Sequence, residues 1–283
     1  MKHSEGQLTT TVGASLYCQS WIPGDMPKAA LLIAHGLAEH SGRYQHFARF
    51  FVHRGYAVFA LDHRGHGKSD GDRCHIGRFS EFMDGVALLL EKVREECPGT
   101  PVFLVGHSMG GLIATHFLIE HQSEFEGCVL SGAAVMPAVD LSAIQRLVMK
   151  LFSRVLPKLR MLQLDASEVS RDPEVVDSYR NDPFVYTGKV SARLLEQLFS
   201  AIEELEDKLP DIQLPMLILH GSSDGLALPE GSKMLQEKIS SRDKKLIIYE
   251  GLYHEIYNEP EQEDVMADVA DWLAPRLETA ATT

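Results

Sequence analysis

The segment Gly106–Gly110 carries the pattern G-x-S-x-G, with Ser108 at its centre. An apolar run at 101–105 precedes it, and a helical pattern at 110–120 follows it. In such a strand–turn–helix setting, the glycines permit a sharp turn that leaves the serine hydroxyl exposed at the sheet edge. The pattern therefore predicts that Ser108 is a nucleophile. The alternative is a glycine-rich turn without chemistry.

A nucleophilic serine needs a base, and for this turn the histidine is expected to follow the acid in the chain. Five of the thirteen histidines lie beside or after the serine: His107, His116, His121, His220 and His254. His107 should point away from the hydroxyl because side chains alternate along a strand. His116 and His121 lie on the following helix, and His220 ends a strand. His254 lies on a loop past the apolar run 246–249, so we expect it to be the base.

The acid that orients the base should also lie on a loop after a strand. Asp224 belongs to the Ser/Gly-rich stretch 220–225, directly after the apolar strand pattern 216–219. We therefore predict that Asp224 is the acid. A simple turn residue is the alternative interpretation, and Asp140, after the strand pattern 127–131, is the substitute candidate.

The transition state needs two donors aimed at the developing oxyanion. The backbone N–H after the nucleophile belongs to Met109. The second donor should come from the loop after the earlier strand pattern 30–34, where Gly36 allows the backbone to turn. We expect the N–H of Leu37 to be that donor, and a simple strand-ending turn is the alternative.

Together these segments resemble the monoacylglycerol lipase and lysophospholipase branch of the α/β-hydrolases. The resemblance runs from about residue 30 to 255 and is carried by five segments, of which the first and third are specific: 35–44, 62–71, 106–111, 221–224 and 249–254. It implies the same triad and oxyanion donors as the residue-by-residue analysis. It also implies that Tyr179 faces the substrate head group, and it places Glu39 and Arg43 of the first segment among the substrate contacts.

The chain departs from the family pattern at three positions. Ala38 stands where the family usually has a glycine before the glutamate. Tyr257 and Ala227 stand where some vertebrate monoacylglycerol lipases have a histidine and a cysteine. These differences bear on head-group preference and on sensitivity to thiol reagents, and they leave the chemistry intact.

The 283 residues are 45% hydrophobic and carry a net charge of −13, enough for one large domain with an insertion. An acidic surface disfavours nucleic acid and anionic lipid as partners, but not neutral glycerides. The sequence has no apolar N-terminal region and no long apolar run, so we expect a cytoplasmic protein that contacts membranes only peripherally. It has no C-x-x-C pair, so we expect thiols without a chemical role. We expect no cofactor and no metal, because the candidate ligands lie on separate loops without metal-binding spacing: His35, His40, His63, His66 and His75.

Strand and helix patterns alternate after residue 29, which predicts a mostly parallel sheet with helices on both faces. Together with the resemblance, this implies an α/β-hydrolase fold with an inserted helical cap. An N-terminal hairpin, with Gly13 near its turn, precedes this alternation. The excess length between two strand patterns predicts core segments at 1–136 and 206–283 around a cap at 137–205. Predicted helices lie at 43–54, 80–96, 109–121, 230–239 and 260–278, and predicted strands at 29–35, 57–61, 101–107, 127–131, 215–220 and 245–249.

The cap sequence contains a stripe of apolar residues at helical spacing: Leu141, Ile144, Leu147, Val148, Leu151, Phe152 and Val155. Such a stripe normally packs on its own domain. The alternative is that part of it stays exposed to dock on lipid aggregates and to line an acyl tunnel, with Leu151 as a substrate contact.

These features predict a cofactor-free serine hydrolase whose substrate is a fatty-acyl ester, first of all a monoacylglycerol. Lysophospholipids and short-chain esters are alternatives within the class. A peptidase is less favoured because the cap shows no acidic cluster suited to a peptide amine. A non-catalytic receptor on the same fold, or acyl transfer to another alcohol, are alternatives outside it.

Overall fold

The computed structural model describes residues 1–137 and 142–280, and eight strands in it form one sheet in the order β1-β2-β4-β3-β5-β6-β9-β10. The first two strands and the β2–β4 pair are antiparallel, and all other neighbours are parallel. The strands are β1 (Lys2–Thr9), β2 (Ser15–Ile22), β3 (Ala30–Ala34), β4 (Ala57–Leu61), β5 (Val102–His107), β6 (Gly127–Ser131), β9 (Met216–Gly221) and β10 (Lys244–Tyr249).

Helices cover both faces of this sheet, which is why its central strands are apolar on both sides. On one face pack α1 (Gln45–Val52) and α8 (Gln262–Ala280). On the other pack α2 (Ser80–Glu96), α3 (Met109–His121) and α7 (Pro229–Lys238). Every residue of β3, β4, β5 and β6 is buried. The predicted α/β-hydrolase fold is confirmed.

The chain between β6 and β9 leaves the sheet and forms an insertion, which we call the cap. Its elements are α4 (Ala143–Val155), β7 (Arg160–Leu162), α5 (Pro173–Asn181), β8 (Val190–Ser191) and α6 (Ala192–Leu205). A capping box at Ser142 and Gln145 starts α4, and α4 packs against α6. The domain bounds 137 and 205 stay predictions.

The apolar stripe of the cap does not pack on its own domain as stripes normally do. α4 buries only Met149 and Ser153. Six of the seven stripe residues are exposed, from 36% to 74% of their surface: Ile144, Leu147, Val148, Leu151, Phe152 and Val155. The seventh, Leu141, lies outside the described residues, as does the substitute acid Asp140. The packing interpretation is therefore wrong for the described part of the stripe.

Most predicted elements agree with the structure to within two residues. The predicted helix 43–54 is instead a 3₁₀ turn, Ser41–Tyr44, followed by α1. His40 caps this turn by accepting a hydrogen bond from the N–H of Gly42, and such a tight turn at a helix start leaves little periodic signal. Within the described residues, no helix is long and apolar enough to cross a bilayer.

Candidate active site

Ser108 occupies the turn between β5 and α3 in a conformation that L-residues rarely adopt, with φ 54° and ψ −119°. The turn is tight because the flanking glycines allow close packing. A Cβ on Gly110 would collide with the carbonyl oxygen of Ala34, and one on Gly106 would lie 2.7 Å from the carbonyl oxygen of Gly110. The G-x-S-x-G spacing thus follows from sterics, and it presents the hydroxyl at the carboxyl edge of the sheet.

His254 and Asp224 come from two neighbouring loops and meet beside this turn. The Nδ1 of His254 lies 2.7 Å from Oδ2 of Asp224, and both side chains are buried. The other carboxylate oxygen accepts hydrogen bonds from the N–H groups of Leu226 and Ala227 at 2.8 and 2.9 Å. With the carboxylate held in this way, the imidazole Nε2 is left to face a substrate or the serine.

The electrostatics of this pair suit a base and its orienting acid. Burial disfavours the charged form of Asp224, but the charge of His254 and hydrogen bonds from His220 and His254 hold the pKa of the carboxyl well below its usual range. Burial likewise lowers the pKa of His254, but the charge of Asp224 outweighs it and raises that pKa above its ordinary value. The carboxylate therefore stays ionised while the imidazole can accept a proton.

The two candidate oxyanion donors are backbone N–H groups on residues that line the same cavity as Ser108. Met109 is the first residue of α3, so its N–H has no partner within the helix. Leu37 follows Gly36 on the loop after β3. Among the described residues, no backbone acceptor takes the N–H of either Leu37 or Met109. Both residues line the cavity that contains Ser108.

A cavity of about 340 Å³ joins the catalytic edge of the sheet to the underside of the cap. On the sheet side it is lined by Ser108, His254, Leu37, Met109, Glu39 and Glu255. The cap contributes Tyr179 and a mainly apolar wall that includes Leu195, Leu198, Phe199 and Ile202. An apolar pocket with a few convergent polar groups is the usual form of a small-molecule site.

Two predicted substrate contacts lie elsewhere. Arg43 and Leu151 are not among the described residues that line the cavity. The guanidinium of Arg43 binds Glu39 at 2.8 Å and both oxygens of Glu255 at 2.5 and 2.6 Å. Leu151 is 59% exposed on the outer surface of α4. Tyr179 and Glu39 line the cavity.

Three residues at the site were missed or misjudged from sequence. Glu255 has no motif of its own, since its partner Arg43 is 212 positions away. Alternation along β5 predicts that His107 points away, but it lines the cavity and its ring lies 4.7 Å from that of His254. Its burial, with a contribution from His254, lowers its pKa to about 4, so it stays neutral. His220 enters the sequence argument only as a possible base, but in the structure its Nε2 lies 3.1 Å from Oδ2 of Asp224.

The arrangement of the remaining histidines and the four cysteines in the fold does not group them as metal ligands within the described residues. Within the described residues, no group of histidine, cysteine and carboxylate side chains has metal-binding geometry. The four cysteines are buried and unpaired, and burial raises the pKa of Cys74 to about 12. At the positions that depart from the family, Tyr257 is buried against Phe47, and Ala227 donates its N–H to the candidate acid.

Comparison with known proteins places the chain among hydrolases. A family model described as "Serine aminopeptidase, S33" matches residues 25–261. The chain is 38% identical to a monoacylglycerol lipase of Mycolicibacterium smegmatis, covering 97% of this chain and 98% of that protein. It is 37% identical to the monoglyceride lipase of Homo sapiens, covering 97% and 92%.

Solved structures of two monoacylglycerol lipases have the same fold as this chain. The crystal structure of Paleococcus ferrophilus monoacylglycerol lipase is 29% identical, with a TM-score of 0.81, and the match covers 98% of this chain and 100% of that one. A soluble variant of monoglyceride lipase from Saccharomyces cerevisiae, solved with a substrate analog, has a TM-score of 0.85 at 22% identity. The match covers 98% and 95% of the two chains, and at that identity it supports the fold alone.

Proposed function

Because this chain belongs to the monoacylglycerol lipase branch of the α/β-hydrolase family, we propose that it hydrolyses monoacylglycerols to glycerol and a fatty acid. The observation that carries the proposal is one cavity in which Ser108, His254 and the loop of Leu37 face an apolar wall from the cap. Such a cavity fits an ester whose acyl part is long and whose alcohol is small.

The proposed reaction uses three side chains and two backbone N–H groups. Ser108 Oγ attacks the ester carbonyl while His254 accepts its proton and Asp224 stabilises the resulting imidazolium. The N–H groups of Leu37 and Met109 stabilise the oxyanion. The C–O bond to glycerol breaks as His254 returns the proton to the leaving alcohol. A water activated by His254 then hydrolyses the acyl-enzyme and releases the fatty acid.

The charges around the cavity favour a neutral head group over a phosphate. Three carboxylates line it, on Glu39, Glu255 and Asp165, and no lysine or arginine is among its described lining residues. A lysophospholipid would bring its phosphate within a few atoms of the ester, beside these carboxylates. Glycerol carries no charge to repel, so Tyr179 and the polar groups around Ser108 can receive it.

The same residues argue against an aminopeptidase. A free amine would need an unengaged carboxylate, but Glu39 and Glu255 are both engaged by Arg43. Asp165 caps the 3₁₀ turn Ala166–Glu168 by accepting from the N–H of Ser167, and hydrogen bonds from that residue lower its pKa in an exposed setting. An ester therefore fits this cavity better than a peptide.

We further propose that the exposed face of α4 docks on lipid aggregates while the rest of the protein stays in the cytoplasm. Leu147, Leu151 and Val155 are each more than half exposed on this face. Apolar patches of this kind mark interaction sites, and an amphipathic helix can bury such a face at a membrane interface. The net charge of −13 favours neutral over anionic surfaces. Leu151 would then contact the acyl chain during entry.

The proposal is tested by a substrate panel that holds the acyl chain constant. Monolauroylglycerol, lauroyl-lysophosphatidylcholine and a lauroyl anilide are compared by kcat/KM, with Ser108→Ala as the blank. We expect the monoacylglycerol to be turned over fastest, and Ser108→Ala to lose up to about 10⁶-fold. Equal rates on the phosphate-bearing ester, or residual activity above a few per cent in Ser108→Ala, would contradict the proposal.

A fluorophosphonate probe separates the enzyme from a receptor on the same fold. The probe reacts only with an activated serine, so the wild-type protein should label at Ser108 and Ser108→Ala should not. A wild-type protein that binds monoacylglycerol but does not label would favour the receptor alternative.

A further inference from the structure

A chain of buried polar side chains ties the oxyanion loop to the loop of the catalytic histidine. We infer that this chain, which we call the brace, keeps the N–H of Leu37 and the imidazole of His254 in a fixed relation. The brace consists of His35, Glu39, Arg43 and Glu255. Within it, Arg43 is a positioning residue and not a substrate ligand. The inference rests on the proposed function, because it concerns the same reaction.

The brace begins by holding Gly36 from both sides. The N–H of Gly36 donates to Oε1 of Glu39 at 2.6 Å, and the ring Nδ1 of His35 donates to the carbonyl oxygen of Gly36 at 2.7 Å. The Nε2 of His35 accepts from the N–H of His63 at 2.9 Å, so the proton must lie on Nδ1. Because a trans peptide is planar, fixing the Gly36 carbonyl also fixes the N–H of Leu37 on its opposite side.

Arg43 extends this hold to the second loop. Its Nη1 donates to Glu39 at 2.8 Å and to Glu255 at 2.5 Å, and its Nη2 donates to the other oxygen of Glu255 at 2.6 Å. Glu255 follows His254 directly. A single guanidinium therefore connects Glu39, whose carboxylate holds the N–H of Gly36, to the residue that follows the base. A planar fork with fixed donors is suited to such a bridge, and a lysine ammonium is not.

The carboxylates of the brace have little capacity left for a substrate. Glu39 also accepts from the hydroxyl of Tyr44 at 2.8 Å, and Glu255 accepts from Nδ2 of Asn258 at 2.9 Å. Burial disfavours the charge on Glu39, but the charge of Arg43, with a hydrogen bond from the N–H of Gly36, lowers its pKa to about 2. Glu39 therefore stays ionised over the working pH range, and the oxygens of both carboxylates are occupied by hydrogen bonds, as a positioning device requires.

The cap rests on the same guanidinium. The Cζ of Arg43 lies 4.7 Å from the centre of the Tyr179 ring, which α5 supplies. Tyr179 is buried and lines the cavity, so the ring that we propose to receive the head group packs on Arg43 of the brace. Three parts of the site thus share one side chain: the oxyanion loop, the histidine loop and the cap.

The test compares Arg43→Met with Arg43→Lys on two octanoyl esters, monooctanoylglycerol and methyl octanoate. Methyl octanoate has no glycerol, so loss of a head-group contact cannot affect it. If Arg43 positions the loops, Arg43→Met should lose about 10²-fold in kcat on both esters, comparable to removal of one oxyanion donor. KM should change by less than about threefold, and Arg43→Lys should recover part of the loss.

A second readout reports on the oxyanion hole directly. The Oγ of Ser108 adds to the carbonyl carbon of an octyl trifluoromethyl ketone. The resulting tetrahedral adduct carries an oxyanion that the N–H groups of Leu37 and Met109 should bind. Its inhibition constant should rise in Arg43→Met in parallel with the loss of kcat. The control is Arg64→Met, which breaks a salt bridge to Glu81 away from the cavity and should leave kcat and inhibition unchanged.

Two results would overturn the inference. A loss confined to monooctanoylglycerol and expressed in KM would make Arg43 a head-group ligand. Kinetic constants unchanged in Arg43→Met, with only a lowered melting temperature, would make it merely structural. If Arg43→Met does not fold, Arg43→Lys and Glu255→Gln decide in the same assays, since neither leaves a buried charge without any partner. Failure of the proposed function is distinct, because the wild-type protein would then fail to hydrolyse monooctanoylglycerol, whether or not it hydrolyses methyl octanoate.

Discussion

The catalytic edge of the sheet and helix α4 of the cap differ in which residues they bury. At the edge, charged groups such as Asp224, Glu39 and Glu255 are buried, and each is held by several hydrogen bonds. On α4, large apolar side chains face solvent while a serine is buried. Both arrangements are costly for folding alone, so each marks a place where function outweighs stability.

The difference also predicts how the two regions respond to mutation. A change at the edge should alter the chemistry for every substrate, because the same atoms react each time. A change on the exposed face of α4 should leave the chemistry and the stability intact, and should matter only where a lipid surface or a long acyl chain meets the cap. Four experiments can break or sharpen this contrast.

The largest effect is expected from Asp224→Asn. The amide keeps the shape but cannot hold the imidazole in the correct tautomer or stabilise its charge, so kcat should fall about 10⁴-fold. The loss should be equal for acetate and laurate esters, measured as kcat under saturating substrate. Asp140→Asn is the control and should be mild. A large loss of kcat in Asp140→Asn, with a small one in Asp224→Asn, would show that the acid is Asp140, which follows β6 in the chain.

The second effect belongs to the cap. Leu151→Glu places a charge on a side chain that is 59% exposed, so the melting temperature should barely change. Loss of one buried leucine at a lipid surface is worth about 1.5–3 kcal/mol, which corresponds to roughly 10- to 160-fold in binding to neutral vesicles. Vesicle co-sedimentation and kcat/KM on dispersed monoolein should fall together, while hydrolysis of a butyrate ester is unchanged.

Lys150→Gln is the matched control for Leu151→Glu. It lies next to it on α4, is also exposed, and changes the net charge by the same amount. It should affect vesicle binding little. If Leu151→Glu instead lowers the melting temperature and both activities equally, the face would belong to the interior of a larger assembly rather than to a lipid-docking surface.

The third effect concerns pH and belongs to the edge. The base must be neutral to accept the serine proton, and the charge of Asp224 raises the pKa of His254 above its ordinary value even though burial lowers it. Activity should therefore be lost as pH falls through a midpoint above about 6.5, tenfold for each further unit. The profile of kcat/KM should have the same acid midpoint for short and long esters. A midpoint that depends on chain length would show that the cap, not His254, controls it.

The smallest effect is expected at Ala38, whose φ of 69° lies in the left-handed region. Ala38→Gly removes that strain but gains freedom in the unfolded chain, so the free energy of unfolding should rise by at most about 1 kcal/mol. Ala87→Gly in the middle of α2 is the control and should lower it by about 1 kcal/mol. Urea unfolding measures both. A destabilised Ala38→Gly would mean that the methyl group, buried in the core, contributes more than the strain costs.

Much of the catalytic edge could be predicted because its signals are local. A glycine on each side of Ser108 is needed within the turn itself, and Asp224 and His254 each follow an apolar strand pattern within a few residues. Parallel strands bring their carboxyl ends to one edge, so residues just after β3, β5, β9 and β10 meet there. Their individual roles stay predictions until the variants are measured.

The rest depends on residues that meet only in three dimensions. The sequence by itself determined a mostly parallel sheet between layers of helices, the strand-to-helix turn at Ser108 and the existence of an amphipathic stripe, because each follows from short-range periodicity and glycine sterics. Only the tertiary structure decided that Arg43 pairs with Glu255 across 212 positions, and that the stripe on α4 faces solvent. A guanidinium pairs with the carboxylates that the fold brings within hydrogen-bond distance, and an apolar face is buried only if another element covers it. Neither condition can be inferred from the neighbouring residues in the sequence.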